Sequence, residues 1–195
     1  MENDPLARLL EQILPDSIDK QGIVRDSLEA IQELANKAAE MIATEPGLLD
    51  LYQWLAKTKQ YPLLVRGGLP VRDPLRLIDL ANQAALVLVR HGQYDEVAKL
   101  SNAVAKEPLL IYDAARLYQL GRPSDLENLA KSHNIAHWVL AYIAAMTVSA
   151  LARGLTTLLE TRGTSLEPIG NKCPVCGAQL IKKKCPICGK QWQKD

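Results

Sequence analysis

Apolar residues recur at three- and four-residue spacing along most of the chain, a pattern typical of amphipathic helices that pack around a shared core. The run over 23–42 shows it clearly, with its apolar positions on one helical face. Proline and glycine residues divide the pattern into segments. The pattern predicts seven or eight helices, over about 5–13, 23–42, 48–57, 74–90, 93–106, 109–120, 125–131 and 134–160.

Residues that often cap helices precede several of these segments. The predicted caps are Asn3 or Asp4, then Asp73, then Ser124 or Asp125, and finally Asn134. No strand pattern of convincing length occurs before Cys173. The predicted fold class is therefore all-α, a multi-helix bundle.

The segment 59–73 is the only long stretch before the cysteines that follows no helical pattern. It contains the Gly67-Gly68 turn, and a basic cluster lies in and beside it, formed by Arg66, Arg72 and Arg76. Connections of this length are often functional or disordered. Two interpretations stay open, a contact surface for a partner and a solvated connection.

The sequence Gly92-Gln-Tyr-Asp-Glu-Val-Ala98 resembles part of a tetratricopeptide helix pair. Gly121 follows Gly92 by 29 residues, whereas that repeat has a period of about 34. We therefore favour helical hairpins in a bundle. A helical-repeat scaffold with a structural zinc and unrelated partners is the minor alternative.

The segment 134–152 runs 19 residues without a formal charge, and about 20 apolar residues can span a bilayer. It also contains Asn134, His137, Thr147 and Ser149, with many alanines. A buried central helix explains this composition better than a membrane span. The acidic, polar start of the chain differs from the first region of a secretory signal. We expect a cytoplasmic protein without a membrane span.

Composition adds that this is an ordinary soluble protein, 48% hydrophobic and 23% charged over 195 residues. Because Phe is absent, Leu, Ala, Ile and Val must build the core. The net charge of +1 is uneven, with −4 over 1–170 and +5 over 171–195.

All four cysteines lie near the C-terminus, in Cys173-Pro-Val-Cys176-Gly and Cys185-Pro-Ile-Cys188-Gly. Each Cys-x-x-Cys turn directs two thiolates to one point, and two such turns complete a tetrahedral site. The sequence thus predicts a zinc-ribbon or rubredoxin-like knuckle whose metal ligands are Cys173, Cys176, Cys185 and Cys188. Zn²⁺ is the first choice and iron the alternative. Four protein ligands leave no position for water, so the site is expected to be structural or electron-handling.

We divide the chain into a helical domain over 1–162, a linker over 163–172 and a metal ribbon over 173–195. A segment of about 25 residues buries too little apolar surface to fold alone. The metal is therefore expected to supply most of the folding free energy of the ribbon.

The junction of the last helix and the first Cys-x-x-Cys turn resembles the formate dehydrogenase accessory protein family. The similar stretch covers 125–177 and ends in Gly170-Asn-Lys-Cys-Pro-Val-Cys-Gly177. Tyr61-Pro62-Leu63-Leu64, followed by Asp73-Pro74, also resembles an element of that family. Family members are longer and carry more cysteines, so this chain looks like a version with a shortened metal region.

The resemblance implies a cytoplasmic accessory protein or chaperone. Such a protein binds the catalytic subunit of a formate dehydrogenase-like molybdenum or tungsten oxidoreductase during maturation. The resemblance also keeps iron beside zinc as a candidate metal.

Other catalytic motifs are missing from the sequence, which contains no P-loop, no Gly-x-Gly-x-x-Gly and no Gly-x-Ser-x-Gly. We therefore expect no enzymatic activity. His91 precedes Gly92 at a helix end, where a capping role is favoured. His133 and His137 are four residues apart and could share a helix face, but without a third ligand they are a weak candidate for a second metal site.

Lys182, Lys183 and Lys184 lie between the two cysteine pairs, with Lys172, Lys190, Lys194 and Trp192 nearby. Lysines can contact phosphates and a Trp can stack on a base, so a nucleic-acid- or ribosome-associated zinc-ribbon protein is the alternative function. A solvated turn whose lysines offset thiolate charge is the favoured interpretation. One lysine run without arginines is a weak nucleic-acid signature.

Overall fold

The computed structural model describes residues 4–192, and this part of the chain is mostly helical. Within it, β-structure is limited to isolated bridges close to the cysteines. The all-α prediction is confirmed for these residues. In chain order the helices are α1 (Pro5–Ile13), α2 (Lys20–Ala43), α3 (Leu48–Lys57), α4 (Leu63–Gly67), α5 (Pro74–Arg90), α6 (Tyr94–Lys106), α7 (Leu110–Gln119), α8 (Pro123–Ser132) and α9 (His137–Thr161).

Two of the predicted helix caps are confirmed. The carboxylate of Asp4 accepts from the backbone N–H of Leu6 at 2.9 Å, and that of Asp73 accepts from Leu75 at 3.0 Å. A proline follows each of them at the first helical position, where its missing N–H costs nothing. Asn3, the other cap suggested for α1, lies outside the described residues.

Two predicted caps are wrong. Arg122 occupies the N-cap of α8, because Pro123 starts the helix before Ser124 or Asp125 can cap it. The N-cap of α9 is Ala136. Asn134 instead lies in the turn between α8 and α9 with φ +55°, a left-handed conformation that Asn tolerates better than most residues.

Helix α9 is the centre of the core and packs most extensively against α2, then against α7 and α5. The α2–α9 crossing is close because its residues are small. A Cβ at Gly154 would lie 2.8 Å from the backbone nitrogen of Ala39 and 2.9 Å from the carbonyl oxygen of Ala35. A side chain at position 154 would therefore push the two helices apart.

The buried face of α2 also makes a polar contact with α9. The Ser27 hydroxyl donates to the Ile23 carbonyl at 2.6 Å, so the Tyr142 hydroxyl donates to Ser27, also at 2.6 Å. Burial raises the pKa of Tyr142 above its usual range. The phenol stays neutral, and the hydrogen bond satisfies its buried oxygen.

By length and composition α9 could cross a membrane, as the uncharged stretch suggested. In the folded chain, however, 94% of its most apolar 18-residue stretch is buried by other parts of the protein. This burial favours its interpretation as a central core helix, one of the two readings of the sequence.

The segment 59–73 contains α4 and contributes four fully buried side chains to the core, which the helical pattern did not reveal. Its most deeply buried side chains are Leu63, Leu64, Leu69 and Val71. Arg116 of α7 donates to the Leu64 carbonyl at 2.7 Å, and Arg72 donates to the Gly67 carbonyl at 2.6 Å. The interpretation as a solvated connection is therefore wrong for this part of the segment.

Candidate metal centre

The segment around the cysteines is a twelve-residue tandem repeat. Residues 169–180, here called the first knuckle, align with 181–192, the second knuckle. Both follow the pattern Ile-x-x-Lys-Cys-Pro-x-Cys-Gly-x-Gln-x, with seven identical positions. The repeat is visible in the sequence, but the spacing of the cysteine pairs alone does not reveal it.

The two knuckles make equivalent backbone hydrogen bonds. In the first, the N–H of Cys173 donates to the Ala178 carbonyl at 2.9 Å; in the second, Cys185 donates to Lys190 at 3.0 Å. In each knuckle, the N–H of the glycine that follows the second cysteine donates to the carbonyl of the first cysteine at 2.9 Å. Gly177 has a φ of +78° and Gly189 a φ of +72°. Residues other than glycine rarely adopt such values.

Each knuckle begins with a two-residue turn closed by an isoleucine and a lysine. In the second knuckle, Ile181 and Lys184 exchange backbone hydrogen bonds of 2.9 and 3.0 Å. The two residues between them, Lys182 and Lys183, have φ of +52° and +65°. Positive φ at both central positions is the geometry of a tight hairpin turn. The lysine run therefore forms the turn that starts the second knuckle.

The knuckles bring their sulfur atoms together in pairs that cross from one knuckle to the other. Cys173 Sγ lies 3.5 Å from Cys188 Sγ, and Cys176 Sγ lies 3.3 Å from Cys185 Sγ. Three of the sulfurs, those of Cys173, Cys185 and Cys188, lie within 4.8 Å of one another. All four side chains are buried and none forms a disulfide. The cluster could hold a metal ion, since sulfurs about 2.3 Å from a tetrahedral zinc stand roughly 3.8 Å apart.

The protonation of these thiols depends on their mutual contacts. Contact with Cys173 and Cys185, together with burial, raises the pKa of both Cys176 and Cys188. The three other thiols lower the pKa of Cys185, which also accepts from the Cys188 N–H at 3.3 Å. These shifts favour a thiolate at Cys185 and neutral thiols at Cys176 and Cys188, whose protons a metal ion must displace.

The first knuckle rests on the start of α4. The backbone N–H groups of Leu63 and Leu64 donate to the carbonyls of Pro174 and Val175, both at 2.9 Å. These donors belong to the first turn of the helix, where no helical acceptor is available. A Cβ at Gly177 would lie 2.9 Å from Cγ of Pro62, so this glycine also permits the close approach.

The second knuckle rests on side chains of α9. The Ser149 hydroxyl donates to the Ile187 carbonyl at 2.6 Å, and Nε of Arg153 reaches the same oxygen at 3.2 Å. Farther along the helix, Glu160 forms an ion pair with Lys190. The spacing of these three residues places them on one face of α9.

Ser149 and Arg153 were not among the residues predicted for this site. A signal was available, because Arg153 directly follows the uncharged stretch and shares α9 with only one other charged residue, Glu160. A lone charge on an apolar helix often has a specific buried partner.

The histidines do not form a second cluster. His133 ends α8 and His137 begins α9, so the two do not share a helix face. Nε2 of His91 lies 2.7 Å from Asp26 of α2, and this contact lowers the pKa of Asp26. His91 is at the C-cap of α5 as predicted, and it also links α5 to α2.

Some members of the predicted basic clusters make contacts within the chain. Besides the bond of Arg72 described above, Arg76 forms an ion pair with Glu45 at 3.0 Å. Lys190 lies 4.6 Å from the centroid of the Trp192 ring, which packs against the core cluster. Lys194 lies outside the described residues.

No protein-family model matches the chain, and comparisons with curated proteins and with solved structures find no match. The resemblance to the formate dehydrogenase accessory proteins therefore stays a prediction, based on the motifs quoted for it.

Proposed function

We propose that this protein is a non-catalytic accessory factor whose C-terminal knuckles form a ribbon around a structural zinc ion. The observation that carries the proposal is the closure of the sulfur cluster. All four cysteines are buried, and the knuckles that bear them are bonded to α4 on one side and to α9 on the other. A closed all-cysteine site offers no position for a substrate, so the role of the metal is to hold the structure.

The client proposed for the helical body is the catalytic subunit of a formate dehydrogenase-like molybdenum or tungsten oxidoreductase, in the cytoplasm and before assembly. One contact supports this choice. Tyr61-Pro62-Leu63-Leu64 and the first Cys-x-x-Cys turn, which both carry the resemblance, are more than 100 residues apart in sequence. They meet through the backbone hydrogen bonds from Leu63 and Leu64.

Affinity purification from the native host tests the client. We expect the full-length protein to recover a molybdenum or tungsten oxidoreductase subunit in its cofactor-free form. A matched bait with all four cysteines changed to Ser controls for the ribbon. Recovery of ribosomal proteins or nucleic acid in place of such a subunit would contradict the proposal.

The metal is tested by elemental analysis and absorption spectroscopy of protein purified without added metal. Zinc at one equivalent in a colourless sample is expected. A visible thiolate-to-iron absorption would instead indicate that the bound metal is a single iron of the rubredoxin type. Folded protein that holds no metal under these conditions would contradict the site itself.

A cleft at the start of the second knuckle favours nucleic-acid binding as the second candidate function. Arg8 of α1 lines it together with Lys182 and Lys184, and its volume is about 280 Å³. Three cations around one cleft are suited to a phosphate group. Neutralising them by R8Q, K182Q and K184Q would then weaken binding of a single-stranded oligonucleotide and reduce its salt dependence. Neutralising Lys57, Lys106 and Lys131 elsewhere on the surface is the control.

A further inference from the structure

The metal centre proposed above carries a charge that the fold must balance. Four thiolates around a divalent ion leave a net charge of −2, and burial of uncompensated charge is costly. Nearby positive charge therefore stabilises the thiolates relative to thiols and raises the affinity for the metal. The groups around the two knuckles differ in this respect.

Arg153 lies directly beneath the second knuckle. Its Nε donates to the carbonyl of Ile187, the residue between Pro186 and Cys188, and to the Ser149 hydroxyl at 3.1 Å. Its guanidinium also lies against Gly189, where a Cβ would collide with it. The side chain is half-buried. Glycine at position 189 thus serves two purposes, a positive φ and room for the guanidinium.

The guanidinium lies against Gly189, the residue directly after Cys188, and this contact places its charge beside the second cysteine pair. Burial lowers the pKa of Arg153, while Asp4, Cys188 and Cys185 act in the opposite direction. An arginine remains charged in proteins even when it is partly desolvated. The interaction therefore works mainly on the sulfurs, where it favours thiolate.

One neighbour of the first knuckle is a neutral side chain. The Tyr118 side chain of α7 is close enough to interact with Cys176, and burial raises the pKa of Tyr118 above its usual range. A neutral phenol contributes no compensating charge. On the second knuckle, by contrast, Arg153 supplies a positive charge from α9.

We propose that Arg153 is the positioning residue of the metal centre: it places a positive charge beneath Cys185 and Cys188 and thereby sets the metal affinity of all four cysteines. The inference rests on the proposed metal site. It assigns Arg153 an electrostatic role, in addition to its hydrogen bond with the second knuckle.

Two substitutions separate charge from hydrogen bonding. Arg153→Gln removes the charge and keeps a donor for the Ile187 carbonyl, whereas Arg153→Lys keeps the charge and loses the planar guanidinium. Arg162→Gln is the control, because Arg162 ends the same helix and pairs with Asp50 at 3.5 Å, away from the sulfurs. Circular dichroism of each variant checks that the helical body is folded.

The readouts are the Zn²⁺ affinity, by competition with a chromophoric chelator, and the pH at which half of the zinc is released. For R153Q we expect a 10- to 100-fold loss of affinity, about the effect of removing an outer-shell partner. Half-release should move to higher pH, because protons compete better for thiolates that have lost a neighbouring cation. R153K should stay close to the wild type in both readouts, and R162Q should not differ from it.

Equal affinity and equal release pH for R153Q and the wild type would overturn the inference and leave the metal site intact. So would a loss in R153K with none in R153Q, because that result assigns Arg153 a purely geometric role. A wild-type protein that binds no zinc would instead overturn the proposed site, and with it this inference.

Discussion

The two knuckles have the same sequence pattern and the same internal hydrogen bonds, yet they are attached to the helical body in different ways. The first accepts hydrogen bonds from backbone donors of α4 and packs against a proline ring. The second is held by a serine, an arginine and a glutamate of α9. Backbone donors do not depend on side-chain identity, whereas each side-chain contact can be removed by one substitution.

The comparison indicates how a small repeat becomes part of a larger core. The local pattern fixes where each pair of sulfurs points, because the turn residues and glycines determine the backbone of each knuckle. The surroundings then determine how firmly each knuckle is held and how its charge is balanced. The predictions below test this difference, from the largest expected effect to the smallest.

The largest effect is expected where the knuckles are equivalent. C173S/C176S and C185S/C188S should each abolish metal binding, because a tetrahedral site needs ligands from both pairs. Since a structural zinc contributes on the order of 10 kcal/mol in small zinc domains, the amides of 169–192 should lose their protection from hydrogen exchange. Elemental analysis and hydrogen-exchange mass spectrometry measure the two effects. Far-UV circular dichroism should change little, because the helical core lies mainly outside the ribbon. Stoichiometric metal in either variant would contradict the equivalence of the two pairs.

Replacing each of the two glycines by alanine should destabilise the two knuckles to different extents. Both G177A and G189A pay a left-handed backbone cost of about 1–2 kcal/mol. G177A should lower the melting temperature more, because the Pro62 ring cannot yield, whereas the flexible guanidinium of Arg153 can move away. Thermal unfolding of the zinc-loaded protein measures both.

A double-mutant cycle refines the same comparison. Combining G189A with R153M should cost less than the sum of the single changes, since the collision is then removed. G177A with R153M should be additive. Additivity in both pairs would show that the guanidinium does not limit the space at position 189.

Removing the Ser149 hydroxyl should weaken the attachment of the second knuckle to α9 and leave the first knuckle unaffected. S149A deletes one donor to the Ile187 carbonyl, which still accepts from Arg153. A hydrogen bond of this kind contributes about 1 kcal/mol, so zinc release into excess chelator should be several-fold faster. S132A, which removes an exposed hydroxyl on α8, is the matched control. Identical release rates for both variants would indicate that the hydroxyl does not hold the knuckle.

The smallest effect is expected from E160Q. The pair of Glu160 with Lys190 is partly exposed, and such ion pairs contribute about 1 kcal/mol or less. We expect a shift of at most a few degrees in melting temperature at low salt, and no shift in 0.5–1 M salt, where screening is strong. A large, salt-independent shift would instead indicate that Glu160 has a second role.

The helical periodicity predicted most of the fold, because the spacing of apolar residues within a segment indicates an amphipathic helix. It failed for α4, whose five residues are too few for a periodic signal and whose stability comes from distant partners such as Arg116 and the first knuckle. It also misplaced Asn134, because the same residue type suits an N-cap and a left-handed turn. Only the path of the chain between α8 and α9 decides between them.

The candidate site likewise has features that the sequence predicts and contacts that depend on tertiary packing. Cysteine spacing predicted that the four sulfurs would cluster, and a search for repeats would have shown that the knuckles are equivalent. The lone charge of Arg153 pointed to a buried partner, but the partner itself could not be predicted. Ser149 and Arg153 contact a residue more than 30 positions away, which the packing of α9 brings next to them. The client and the identity of the metal stay predictions.

By itself, the sequence determined the helices with strong periodicity, the two Cys-x-x-Cys turns and the positions where glycine is needed. These features depend on interactions between residues close together in the chain. Only the tertiary structure decided that the first knuckle meets α4, that the second meets α9, and that Arg153 lies beneath one pair of sulfurs. Such contacts depend on how helices distant in sequence pack against each other, and packing is a property of the whole core.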